Sequence, residues 1–166
     1  NGHSVLGIGS EMSGGVRRVY MHDCRSSSEV YRLFYIKTNH RRGGFIEDVT
    51  VQNVSASKMM RVFEIDTDVM YQWRDIVPTF DTVYTRISNI SILDASADQA
   101  DAIYEIKGDD NEPIENVTIR NVHVGEVNQF INNVVNVRNL TVDNVTWDRF
   151  VLKQREINVP GIAPGK

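Results

Sequence analysis

Residues 49–54 read Val-Thr-Val-Gln-Asn-Val, and residues 117–122 read Val-Thr-Ile-Arg-Asn-Val. In both stretches apolar and polar residues alternate over four positions, which is the period of a β-strand with one face inward. The β-branched residues favour the same structure. An asparagine stands near the end of each stretch, where it tolerates a tight bend. The pattern therefore predicts short strands that turn sharply at their carboxyl ends.

This pattern recurs along the chain, at residues 14–24, 43–54, 85–95, 112–122 and 136–145. The polar residues that mark the strand ends are 30, 41, 27 and 23 positions apart: Asp23, Asn53, Asp94, Asn121 and Asn144. A period of roughly 20 to 30 residues with one longer insertion is typical of a solenoid. We predict an all-β, right-handed, single-stranded parallel β-helix, with ladders of marker side chains along the stack. A β-sandwich is the rival fold, and it would favour hairpin turns.

A second family of strands lies between the repeats, at residues 5–10, 33–38, 62–67 and 103–108. Each strand has a central isoleucine, and we predict that these isoleucines stack in the core: Ile8, Ile36, Ile65 and Ile106. The flanking residues then point outward. They form two columns, Gly7, Tyr35, Glu64, Glu105 and Gly9, Lys37, Asp66, Lys107.

The repeats divide the 166 residues into β-helix coils over 1–154 and a carboxyl-terminal tail over 155–166. The long insertion at 69–84 is expected to form a loop on one face, where solenoids often bind ligands. The coil series is expected to be truncated at its N-terminal end, and open edge strands recruit partners. Self-association through that end is therefore a prediction.

Composition and charge exclude several classes of function. The net charge of −4 argues against general nucleic-acid binding. The sequence contains no run of 18 apolar residues, which is the length that would predict a membrane span. No metal-binding cluster or cofactor motif is visible. The lone Cys24 excludes an intrachain disulfide and is expected to be a small buried residue. Residues 1–42 nevertheless carry seven Lys or Arg against three acidic residues, which suits an anionic ligand.

Part of this basic region forms a candidate site. Gly7 and Gly9 give a flat floor on which a ligand approaches the backbone, and Tyr35 and Lys37 are expected beside that floor. His3 lies just before the same floor. Arg41 and Arg42 follow a few residues after Lys37 and are expected nearby. The alternative for Lys37 is an ordinary surface ion pair with Asp66 on the next coil.

The stretches NGHSVLGIGSEMSGGVRRVYMHDC (1–24) and YIKTNHRRGGFIEDVTVQNV (35–54) resemble the polygalacturonase family of pectin-degrading glycoside hydrolases (family 28), above all its bacterial members. The residues 2–4 resemble the family motif Gly-His-Gly, with Ser4 for the last glycine. Residues 35–37 resemble Arg-Ile-Lys, with Tyr35 for the arginine. The resemblance implies that Lys37 contacts galacturonate carboxylates and that His3 supports the catalytic subsite. A tyrosine cannot replace the bidentate fork of arginine, so substrate preference is expected to differ.

The family's catalytic aspartates lie in two further motifs, Asn-Thr-Asp and Asp-Asp, which are expected upstream of His3. Asp66-Thr67-Asp68 resembles the first motif but comes two coils too late, and we expect it not to be catalytic. The resemblance thus implies the C-terminal part of an inverting hydrolase, inactive by itself, that needs no cofactor. Its partner would be pectic polysaccharide or oligogalacturonate, and its location secreted or periplasmic. A non-catalytic carbohydrate-binding or adhesive β-helix and a purely structural solenoid are the alternatives.

Overall fold

The computed structural model describes residues 2–69 and 81–151, and this part of the chain contains strands and no helix. Seven strands follow one another: β1 (Gly2–Ile8), β2 (Gly15–Ser26), β3 (Val30–Lys37), β4 (Phe45–Asp66), β5 (Arg86–Lys107), β6 (Ile114–Val135) and β7 (Val137–Phe150). Because the described residues form no helix, none of their segments is a helix able to cross a membrane.

Every strand pairing is parallel. The order is β1-β3-β4-β5-β6-β7, and β2 pairs with β4 beside β3. The strand partners repeat the predicted spacings, since Val19 lies opposite Val49, Val49 opposite Ile90, and Ile90 opposite Val117. The architecture is the predicted parallel β-helix. A sandwich built from hairpins would have required antiparallel pairs, and right-handed winding stays a prediction from the usual handedness of parallel connections.

The two strand families are not separate strands in the later coils. β4, β5 and β6 each run for 22 residues through both families. Each coil bends at residues with a φ of 50 to 58°, in pairs five positions apart: Arg18 and Asp23, Asp48 and Asn53, Asn89 and Asp94, Asn116 and Asn121, Asn139 and Asn144. Asn and Asp are the residues that adopt this left-handed conformation most readily after glycine. The marker residues identified in the sequence lie at the second bend of each coil, and the first bend was not predicted.

Side chains at these bends form the predicted ladders. Asn116 donates its amide to the Asn89 side-chain oxygen at 3.0 Å and accepts the amide of Asn139 at 3.0 Å. The second ladder runs from Asn144 to Asn121 and from Asn121 to Asp94, at 2.9 and 2.8 Å. The ladders hold the bends of successive coils in register.

The predicted isoleucine column forms the core behind the outer face. Ile8 lies opposite Ile36, Ile36 opposite Ile65, and Ile65 opposite Ile106, and all four are buried. Burial of each side chain contributes about 1.5–3 kcal/mol. A shift of one residue would expose the whole column, so the core fixes which side chains point outward.

The two ends of the described solenoid differ. β1 and β2 are each paired on one side, and self-association through this end stays a prediction, which light scattering can check. Large exposed apolar residues concentrate at the other end, which the sequence did not indicate: Val134, Val135, Val142, Trp147, Phe150 and Val151. The predicted tail at 155–166 and residues 70–80 of the predicted insertion, which include Trp73, lie outside the described residues.

Candidate functional site

The predicted outer columns exist, and together with His3 and Gly9 they define a surface that we call the candidate face. Gly7 lies opposite Tyr35, which lies opposite Glu64, and Glu105 follows on the next strand. Lys37 lies opposite Asp66, and Asp66 opposite Lys107. Core packing on the inner side and strand alternation thus bring residues from four coils onto one surface.

Gly9 and Gly7 contribute to the floor in different ways. Gly9 has a φ of +90°, and a β-carbon there would collide with the carbonyl oxygen of Lys37. A β-carbon at Gly7 would meet only the Ser4 side chain, at an ordinary 3.6 Å. Gly9 is therefore required by the fold, whereas the space above Gly7 is open. This supports the predicted floor at Gly7, beside the Tyr35 backbone.

The Tyr35 ring is largely inaccessible to a ligand, because only 5% of the residue is exposed. Three side chains cover it. The His3 ring stacks on it with centroids 6.0 Å apart, the Arg32 guanidinium lies 4.5 Å from its centroid, and the Lys37 ammonium lies 5.6 Å away. Tyr35 thus supports two cations by cation–π contact, rather than presenting an open surface for a sugar ring.

A ladder of ion pairs crosses the candidate face, and sequence reasoning missed its arginines. The Arg32 Nε donates to Glu64 at 2.7 Å, and the Arg61 Nε donates to Glu105 at 2.9 Å. Lys107 reaches the same Glu105 carboxylate at 2.8 Å. Arg32 and Arg61 lie directly opposite each other, so an alignment of the second strand family extended by one residue would have found them.

These contacts change the titration of three groups. Burial alone would raise the pKa of Glu105, but hydrogen bonds from Lys107 and Arg61 outweigh it and lower that pKa to about 2. The pKa of His3 is lowered, chiefly by burial and then by Arg32 and Lys37. Burial raises the pKa of Asp66. At neutral pH the face therefore carries a neutral imidazole between cationic groups.

Arg41 and Arg42 lie half-buried in the loop that follows β3. Their backbone amides donate to Asn39. The Thr85 hydroxyl donates to the carbonyl of Gly43 at 2.8 Å, which ties this loop to the chain leading into β5. Both arginines thus lie on a loop that is anchored to the following coil, and their predicted role beside Lys37 stays a prediction.

The acidic side chains of the candidate face are engaged in ion pairs and hydrogen bonds. Glu64 and Glu105 are engaged in ion pairs, and Asp68 donates its backbone N–H to the Asp66 carboxylate at 3.0 Å.

No group of three or more potential metal ligands occurs among residues 2–69 and 81–151. Cys24 was predicted to be buried, but it is only half-buried, because it packs against the edge of the core.

No family model matches the chain, and neither does any curated protein. The fold and the face together define a parallel β-helix with a polar outer surface that combines cations, a histidine and a glycine floor.

Proposed function

We propose that this chain is the C-terminal, sugar-binding part of a glycoside hydrolase that resembles the polygalacturonases and cleaves α-1,4 galacturonosyl linkages by inversion. One observation carries the proposal most: His3, Tyr35 and Lys37 come from two coils and meet beside the open space over Gly7. The resemblance implies that Lys37 contacts galacturonate carboxylates and that His3 supports the catalytic subsite, and the Tyr35 ring contacts both side chains.

Charge on the face agrees with a uronate ligand. The Lys37 ammonium lies 5.6 Å from the centre of the Tyr35 ring, where it can attract a sugar carboxylate, whereas the nearby Arg32 guanidinium is already paired with Glu64. Asp66 opposes this attraction because it lies opposite Lys37. An exposed ion pair contributes about 0–1 kcal/mol, so an anionic ligand can compete for the lysine.

Calorimetric titration with oligogalacturonate tests the binding. Lys37→Ala should weaken binding at least about tenfold, since a hydrogen bond to a charged group is worth roughly 1.5–3 kcal/mol. Arg120→Ala is the matched control, because it removes one positive charge from an exposed residue between Leu93 and Asp143. Binding that is absent in the native chain, or equal in both variants, would contradict the proposal.

Catalysis needs opposed carboxylates about 6.5–9.5 Å apart with room for water. We propose that the catalytic aspartates implied by the resemblance lie upstream of His3, in a longer protein. The 166-residue chain should then leave polygalacturonate intact, because general acid–base steps contribute roughly 10²–10⁴-fold each. Reducing-end assays check this, and turnover by the chain would direct attention to Asp66 and Asp68.

A non-catalytic carbohydrate-binding β-helix is the second candidate, and the engagement of Glu64 and Glu105 in ion pairs favours it. The upstream gene sequence separates the two candidates. An Asn-Thr-Asp strand followed one coil later by Asp-Asp means an enzyme, and their absence means a binding protein.

A further inference from the structure

A second outward column begins at His3, at the opposite end of the strands from Lys37. The His3 ring lies 5.7 Å from that of Tyr31, and Met60 lies on the next strand, beside Arg61, which is opposite Arg32. Tyr31 is 53% exposed and Met60 is 37% exposed. Neither large side chain belongs to the core cluster, so core packing does not account for them.

Tyr31 and Met60 line a pocket of about 120 Å³. Its other walls are Gly2, Glu29 and Val30, and Val30 is buried beneath the surface. The pocket thus combines an aromatic ring, a thioether, an apolar base and a carboxylate. Mostly apolar concave sites with a few polar groups are typical small-ligand sites.

The polar part of the pocket differs from the Lys37 region. The Glu29 carboxylate is paired with the Lys58 ammonium at 3.5 Å, and both side chains are about half exposed. The pair has no net charge. Its carboxylate oxygens still accept hydrogen bonds from hydroxyl groups, whereas they repel a second carboxylate.

We propose that this pocket binds a neutral sugar ring, which stacks an apolar C–H face on Tyr31 and Met60 and donates a hydroxyl to Glu29. The tyrosine provides a broad apolar surface with a polar tip, which suits such an amphipathic ligand. His3 connects the pocket with the candidate face, since its ring lies 5.7 Å from that of Tyr31 and 6.0 Å from that of Tyr35. If the proposed function holds, the ligand is a mixed oligosaccharide with a neutral ring at Tyr31 and a uronate at Lys37.

The test compares sugars that differ in charge. Methyl α-D-galactoside and the methyl α-glycoside of D-galacturonic acid have the same ring and differ only at carbon 6, where the second carries a free carboxylate. Methyl α-D-glucoside is a second neutral probe. In amide-resolved NMR titrations of the whole chain, at least one neutral glycoside should shift the signals of Gly2, Tyr31 and Met60. It should bind at least about fivefold more tightly there than the galacturonate.

Variants sharpen the test. Tyr31→Ala should weaken neutral-sugar binding about fivefold or more, and Tyr31→Phe should retain it because the ring remains. Tyr20→Ala is the matched control, since Tyr20 is a similarly exposed tyrosine (58%) on β2. Neutral sugars that leave the pocket signals unchanged, a galacturonate that binds there equally well, or a folded Tyr31→Ala chain with full binding would each overturn the proposal. Failure of oligogalacturonate to bind the native chain would instead contradict the uronate-binding function and leave the pocket result standing.

Discussion

Gly9 packs directly against the carbonyl oxygen of Lys37, with no room for a β-carbon between them. The backbone of Lys37 is therefore held by a contact from the preceding coil. The floor of the site and the stability of the fold depend on two different glycines, and substitutions can separate them.

Alanine substitutions at Gly9 and Gly7 should have opposite consequences. Gly9→Ala should lower the free energy of unfolding by at least about 2 kcal/mol, because a positive φ and a backbone collision are both costly for alanine. Gly7→Ala should leave stability within about 0.5 kcal/mol and weaken oligogalacturonate binding, since its methyl group fills the open floor. Urea denaturation and calorimetry measure the two effects. A Gly9→Ala chain as stable as Gly7→Ala would show that the backbone contact is unimportant.

The bends should depend on both backbone conformation and the ladder. Asn116→Ala should cost about 2 kcal/mol, because alanine resists the φ of 57° and removes two hydrogen bonds. Asn116→Gly should cost about 1 kcal/mol, since glycine adopts that φ and loses only the bonds. Gln129→Ala, an exposed control on the same strand, should have little effect. Thermal unfolding orders the three variants, and equal losses for Ala and Gly would exclude a conformational contribution.

Stability should depend on pH through Glu105. Its pKa of about 2 in the folded chain lies below the ordinary value of 4.5, so the ionised carboxylate stabilises the fold above pH 4.5. That contribution is lost as the pH falls from 4.5 toward 2. Glu105→Gln should therefore cost about 1–2 kcal/mol at pH 7, allowing for solvent screening, and almost nothing near pH 2. Denaturation at several pH values checks this, and a cost independent of pH would show that the carboxylate charge is irrelevant.

The pKa of His3 should depend on the positive charges near it on the candidate face. Its pKa is lowered first by burial and then by Arg32 and Lys37. Lys37→Met should raise the pKa of His3 while leaving it below 6.5, because burial and Arg32 remain. Lys107→Met removes a cation from the same face, and it should leave that pKa unchanged. NMR titration of the imidazole measures each value, and identical curves for native and Lys37→Met would place the lysine charge away from His3.

Much of the fold was predictable because a solenoid repeats one local pattern. The alternation at residues 49–54, the spacing of the marker residues and the isoleucine column each recur, and all three were confirmed. Local periodicity decides which side of a strand meets the core, and a sequence displays it directly. The first bend of each coil was missed because Asp48 and its equivalents lie within apparently regular strands.

The sequence by itself determined the parallel β-helix, its register and the outward columns that bring Gly7, Tyr35 and Lys37 together. Only the tertiary structure decided that the Tyr35 ring is covered, that Arg32 and Arg61 pair with acids one coil away, and that Tyr31 lines a pocket. Strand alternation assigns a side chain to a face, but long side chains then bend toward partners on neighbouring coils. Those partners lie 32 and 44 residues away in the chain. Their choice depends on charge and packing across the stack, which no local pattern encodes.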